Sequence, residues 1–180
     1  MMLTVARKSA NGEQARPRVV RARLHVRTVS TRWQRGGHGV IARLTAVLTA
    51  ACPDDLVVLP GVGMRITRYQ YREPDIAVVP ADSFETRNLE RPPALAVEVA
   101  SPSTRLYDRN RRKDVYESFG IPAYWIIEPD RDSQRLVVFE LRDGKYEQVA
   151  EATGDEPFSA GQPFPVTIRP SALVRTGALD

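Results

Sequence analysis

Cysteine is almost absent from this chain of 180 residues, where Cys52 stands alone. One thiol can form neither an intrachain disulfide nor a cysteine metal cluster, which excludes a structural zinc site. Cys52 closes a predicted helix in Thr49-Ala50-Ala51-Cys52-Pro53 with no basic or His neighbour to favour the thiolate, so it reads as a small buried apolar residue. Histidine is nearly as scarce, and His25 and His38 have no partner at ligand spacing. No apolar run approaches the ~20 residues that a membrane helix needs. The opening residues lack the apolar stretch of roughly 7–15 residues found in a secretory signal, which predicts a cytoplasmic location and no membrane partner. There is no Walker loop, no GxSxG elbow and no Rossmann glycine fingerprint, so serine hydrolase and nucleotide-cofactor chemistry have no support. Lysine is rare too, with three Lys against twenty-three Arg.

What is present has ordinary globular proportions, 42% hydrophobic and 27% charged, and a length that predicts one domain. The net charge of +4 hides an asymmetry: residues 1–53 carry ten Lys or Arg against one acid, Glu13, and residues 54–180 carry sixteen against twenty-one acids. A basic arm of this kind can hold nucleic acid nonspecifically through counterion release, or can simply be a solvated tail. Residues 1–30 show no sustained period and are expected to be poorly ordered, with a weak alternation at Val19–Val29 as one candidate edge strand. A single domain is expected over residues 31–180.

From Gly39 to Ala51, Val40, Ile41, Leu44, Val47, Leu48 and Ala51 recur at helical spacing, and Cys52-Pro53 ends the helix. Leu56–Leu59 and Val62–Ile66, joined by Pro60-Gly61, read as a hairpin. Strands are expected at Asp75–Val79, Ala94–Ala100, Ala123–Ile127, Arg135–Leu141 and Lys145–Ala150, with Asp143-Gly144 as a hairpin turn and one more strand within 158–168. A second, basic helix is expected from about Asp108 to Gly120, whose glycine suits the left-handed position after a helix. The order of elements predicts an α/β or α+β fold, a mixed β-sheet flanked by helices.

The chemistry concentrates in Ala94–Lys113 and in Pro74-Asp75. Strand periodicity puts Glu98 on one face with Ala94, Ala96 and Ala100, small neighbours that leave room around a carboxylate. Equally, that face could show Glu98 to water. Asp75 opens a strand after Pro74, where an Asp is commonly a turn residue. On adjacent strands the two acids could converge, and at ~4 Å they would repel by about 4 kcal/mol at a surface-like dielectric unless a cation lay between them. Oxygen ligands without Cys or His favour a hard ion, Mg²⁺ or Mn²⁺. Lys113 is notable because Arg111 and Arg112 already supply charge, so a compact ammonium there suggests a separate task, although a solvated charge is the plain alternative. Arg105, Arg109, Arg111 and Arg112 could neutralise phosphates or form a solvated helix face. Tyr107, Tyr116, Tyr124 and Trp125 read as core or interface aromatics rather than base-stacking platforms.

Pro74-Asp75, Pro92-Pro93-Ala94-Leu95-Ala96-Val97-Glu98-Val99-Ala100-Ser101-Pro102-Ser103-Thr104, Asp108 and Lys113 ahead of Tyr116, and the run from Gly120 to Pro129 together resemble the Uma-type (Uma two) endonucleases. These are members of the PD-(D/E)XK superfamily with the restriction-endonuclease-like fold, and the likeness runs from about Trp33 to the end. The resemblance implies that Asp75 and Glu98 are acidic metal ligands, aided by the Val99 carbonyl, and that Lys113 is the catalytic lysine. In that superfamily the lysine usually stands two residues after the acid, a position held here by Ala100, so the lysine is expected from the following helix. The N-terminal Tyr-Glu-Leu and Asp-Gly pattern of the family is not found in residues 1–30, and Trp33-Gln34 stands where a His-Gln pair is usual. The expectation is therefore a Mg²⁺-dependent endonuclease acting on nucleic acid, DNA first. The alternatives are a nucleic-acid-binding or protein-interaction module without turnover, and a homo-oligomer with solvated acids.

Overall fold

Four neighbouring strands in the middle of this protein's sheet hold runs of four or five consecutive buried residues, which is why those stretches are apolar at nearly every position and not at alternate ones. The computed structural model describes residues 31–85, 88–100, 107–130 and 132–174. The readings made for residues 1–30 lie outside that set. Helix α1 spans Thr31–Ala51 and is followed by β1 (Leu56–Pro60), β2 (Met64–Thr67), β3 (Gln70–Arg72) and β4 (Ile76–Pro80). A 3₁₀ turn at Ala81–Glu85 leads on to β5 (Leu95–Val99), α2 (Tyr107–Phe119), β6 (Ala123–Pro129), β7 (Gln134–Arg142) and β8 (Lys145–Thr153). The short strands β9 (Phe158–Ala160) and β10 (Val166–Ile168) close the described chain with a 3₁₀ turn at Pro170–Leu173.

The main sheet has six strands in the order β1-β4-β5-β6-β7-β8. Only β5 and β6 pair in parallel, because α2 carries the chain back between them; all other neighbours are antiparallel. This is the mixed sheet with flanking helices that the element order predicts. Against one face lies α1, whose Val40, Leu44 and Leu48, four residues apart, pack on Ile76, Val78, Leu95, Val97, Trp125 and Val138. Against the other face lies α2, through Tyr116, joined by Ile121 and by Met64 and Leu89 over Ala77, Val79, Ala96, Tyr124 and Ile126. Tyr116, Tyr124 and Trp125 are each buried, as expected of core aromatics. Cys52 is half-buried at the margin of the first core.

Two turns follow from their residues. Gly120 has φ of 83° and its amide donates to the Tyr116 carbonyl at 3.1 Å, which ends α2. Asp143 and Gly144 both have positive φ, 49° and 77°, the backbone that a two-residue hairpin between β7 and β8 requires.

The hairpin expected between Leu56–Leu59 and Val62–Ile66 does not form. Instead β1 pairs with β4, Leu56 facing Pro80 and Leu59 facing Ala77, and β2 pairs with β3 in a separate two-stranded ribbon. The chain leaves the main sheet at Gly61, whose amide donates to the Asp75 carbonyl at 3.0 Å and so ties the end of β1 to the start of β4. No helix among the described residues is long and apolar enough to cross a membrane.

Candidate active site

Strand register brings the two sequence-predicted acids together. In the β4–β5 pairing Ile76 faces Val97 and Ala77 faces Ala96, so one step further Asp75 stands across from Glu98. Directly opposed residues in an antiparallel pair share a face. That face is the one covered by α2, since Ala77 and Ala96 both belong to the core beneath it. Asp75 is partly buried, and its Oδ2 accepts the Val99 amide at 2.6 Å. Among the described residues, nothing donates to its other oxygen.

Glu98 is the one buried charged residue of the described chain, 5% exposed. The prospect of a water-facing Glu98 is therefore not met: α2 covers it. Two side chains four residues apart on α2 reach the carboxylate together, Arg112 Nη1 donating to Oε2 and Tyr116 Oη donating to Oε1 at 2.7 Å. Residues at this spacing lie one above the other on a helix, which is why one carboxylate can take both. Tyr116 thus has two roles, filling the core with its ring and orienting Glu98 with its hydroxyl.

Lys113 is not brought to the acid pair. A rotation of about 100° per residue carries it past Arg112, and its Nζ lies 4.4 Å from the centre of the Phe139 ring on β7. Its charge also acts on Glu117 one turn further along α2. Arg111 is exposed, and the side chain of Arg109, with Arg105, lies outside the described residues. His38, on the exposed side of α1, is near enough for its charge to act on Asp75.

The electrostatics are those of an acid pair in a poorly solvated place. Burial raises the Glu98 carboxyl to about 7; the Arg112 guanidinium opposes this, the Asp75 charge adds to it, and the Tyr116 hydroxyl again opposes it. Burial likewise raises Asp75 above the usual carboxylate range, resisted by the Val99 amide and Arg112 and reinforced by Glu73. Tyr116 is pushed far above an ordinary tyrosine by burial and by the carboxylate it serves, so it remains a hydroxyl donor.

Arg112, Tyr116 and His38 are contributors that the sequence reading did not assign to the site. For Arg112 a signal existed: it stands four residues before Tyr116, the most apolar-facing position of α2. His38 carried none, because its proximity depends on how α1 is laid across the sheet.

A hard divalent cation suits these donors. Two oxygen-bearing side chains face one another, one oxygen of Asp75 takes no hydrogen bond from the described residues, and burial displaces both carboxyls upward. Magnesium is typically held by one or two carboxylates, with water and substrate phosphate completing the octahedron. That matches a site where no third His, Cys, Asp or Glu among the described residues joins the pair.

The acid pair thus stands between two neighbouring strands of a mixed sheet, beneath a basic helix, in an α+β fold. Solved structures bear on it: the crystal structure of a putative nuclease belonging to DUF820 from Anabaena variabilis superposes with a TM-score of 0.58 over 77% of this chain and 80% of that one, at 14% identity. At that identity the likeness is one of fold. The family model Uma2, described as a putative restriction endonuclease, matches residues 29–173, and the chain belongs to that family. No curated protein matches it.

Proposed function

We propose that this protein is a metal-dependent endonuclease in which Asp75 and Glu98 hold Mg²⁺ or Mn²⁺ and a nucleic-acid phosphodiester is hydrolysed, DNA being the first substrate to test. The observation that carries this reading is the juxtaposition of Asp75 and Glu98 across the β4–β5 register with Glu98 buried beneath α2. When bound, the ion supplies an acidified water and a polarised phosphate. The chain's own residues set the geometry. The Val99 amide fixes Asp75 through Oδ2, while Oδ1 takes no hydrogen bond from the described residues, and Tyr116 and Arg112 hold Glu98 from opposite oxygens.

Stabilisation of charge on the phosphate falls to a cation on α2. Geometry favours Arg112, which already touches Glu98, while Lys113, the residue implied by family resemblance, rests on Phe139. Alanine variants separate them. Loss of cleavage in Arg112→Ala with Lys113→Ala active assigns the role to Arg112; the reverse assigns it to Lys113. The proposal as a whole is tested with Asp75→Ala and Glu98→Gln in a Mg²⁺-dependent cleavage assay, and cutting that survives both substitutions rejects it.

A second reading rests on the same guanidinium. Arg112 partly neutralises Glu98 as an ion would, which favours a nucleic-acid-binding module that has kept the fold and lost turnover. Calorimetry with Mn²⁺ decides: heat of binding abolished by Asp75→Ala supports the enzyme, and no binding by the native chain supports the module.

A further inference from the structure

The β2–β3 ribbon carries Arg65-Ile66-Thr67-Arg68-Tyr69-Gln70-Tyr71-Arg72, three arginines and two tyrosines with no acid among them. Its inner side is anchored. Met64 is fully buried and bridges to Leu89, the Arg65 amide donates to the Leu89 carbonyl at 2.8 Å, and the Leu89 amide donates to Gly63 at 2.9 Å. Met64 and Leu89 belong to the core on the α2 side of the sheet, the side of Asp75 and Glu98. The ribbon's return strand then runs directly into the site, Arg72 being followed by Glu73, Pro74 and Asp75.

Its outer side is unusual for a folded surface. Tyr69 is 83% exposed and Tyr71 45% exposed, the two most open large apolar side chains among the described residues. Each has a guanidinium over its ring, Arg68 at 4.8 Å from the centre of Tyr69 and Arg65 at 5.1 Å from that of Tyr71. Arg65 faces Tyr71 directly across the ribbon. Two acids border this set: Glu73 follows Arg72 in the chain, and Glu90 reaches Arg65 only at 3.9 Å and in solvent, where such a pair contributes little. The result is a row of aromatic faces backed by positive charge, on an anchored ribbon whose last residue, Arg72, stands three before Asp75.

We propose that this ribbon is a binding platform for single-stranded nucleic acid, with bases stacked on Tyr69 and Tyr71 and phosphates neutralised by Arg65, Arg68 and Arg72. The proposal deepens the endonuclease reading and rests on it for the direction in which the strand continues, toward Asp75 and Glu98. Unpaired bases are the ligand because an open tyrosine ring needs a free π-face, and in a duplex those faces are covered by neighbouring base pairs. The arginines alone would serve either form.

The test is fluorescence anisotropy of a labelled oligothymidylate with the full chain in EDTA, so that no cleavage intervenes, with a duplex of the same length as comparison. Tighter binding of the single strand is expected. Tyr69→Ala should weaken it roughly tenfold or more, and Tyr69→Phe, which keeps the ring, should restore it. Arg68→Ala should lower the slope of log affinity against log salt by about one phosphate contact. Both side chains are exposed, so the variants should unfold at the native temperature. Equal binding by Tyr69→Ala and the native chain, preference for duplex, or no binding by the native chain would each overturn the platform. Cleavage with Mn²⁺ distinguishes the two readings. If Tyr69→Ala binds and cuts normally, the platform fails and the endonuclease stands; if Tyr69-dependent binding occurs without any cutting, the platform stands and the endonuclease fails.

Discussion

At the scale of single residues the site is governed by where Glu98 keeps its proton. In the folded chain its carboxyl is raised from an ordinary value near 4.5 to about 7, so between those values the folded form retains a proton that the unfolded form has lost. Stability therefore falls as pH rises through this window, opposite to the usual behaviour of a salt-bridged acid. Glu98→Gln should flatten that dependence and raise the melting temperature above pH 7, read from thermal unfolding across pH, because a neutral amide carries no burial cost of charge and Arg112, 40% exposed at its side chain, can turn to water. Tyr116→Phe should have the reverse effect. It removes the 2.7 Å hydrogen bond that favours the ionised carboxylate, which should raise the Glu98 carboxyl further and cost about 1.5–3 kcal/mol at pH 8, measured by chemical denaturation. The acids were legible in the sequence because strand alternation has a period of two and fixes which residues share a face. Which cation meets Glu98 was not, because Arg112 and Lys113 are both within a turn of Tyr116, and one residue of helix phase decides which one makes that contact.

Among elements, one local pairing could be read, while the β2–β3 ribbon and the distant β1–β4 pairing could not. The β7–β8 hairpin is written in Asp143-Gly144, a turn whose two positive φ angles few other residues adopt. A Cβ at Gly144 would meet nothing within 4 Å, so its substitution has a purely conformational cost. Gly144→Ala should therefore lose about 1 kcal/mol and Gly144→Asn less, with no change in cooperativity of urea unfolding. By contrast, β1 pairs with β4, some twenty residues away, and no turn signal announces it. Pro60-Gly61 looked like the tip of a hairpin and is the point where the chain leaves the sheet. The excursion from Gly61 to Glu73 is what sets the β2–β3 ribbon just ahead of Asp75 in the chain.

Over the whole molecule, the sheet separates the face under α1 from the face under α2 that carries the acid pair. Leu44 and Leu48 on α1 support the first, and Ala77, Ala96 and Tyr116 with the acid pair make up the second. Fold class and layer order were legible because near-continuous apolar strands need cover on both sides, but nothing in the residue pattern says which helix covers which acid. The division makes stability and site chemistry separable. Leu48→Ala should cost about 2–5 kcal/mol in unfolding free energy, since Leu48 is fully buried, yet Mn²⁺ affinity measured well below the melting temperature should be unchanged. Ala96→Val is the opposing case. Ala96 is also fully buried, shares the face of Glu98 two residues away, and lies beneath α2, so added volume there should cost only about 1–3 kcal/mol in stability. It acts by forcing α2 outward from the sheet, and the contacts of Arg112 and Tyr116 with Glu98 are the first to lengthen. Calorimetry should therefore show altered Mn²⁺ binding in Ala96→Val and not in Leu48→Ala, although the latter is the less stable protein; equal effects of the two on ion binding would mean that the faces are coupled through the sheet.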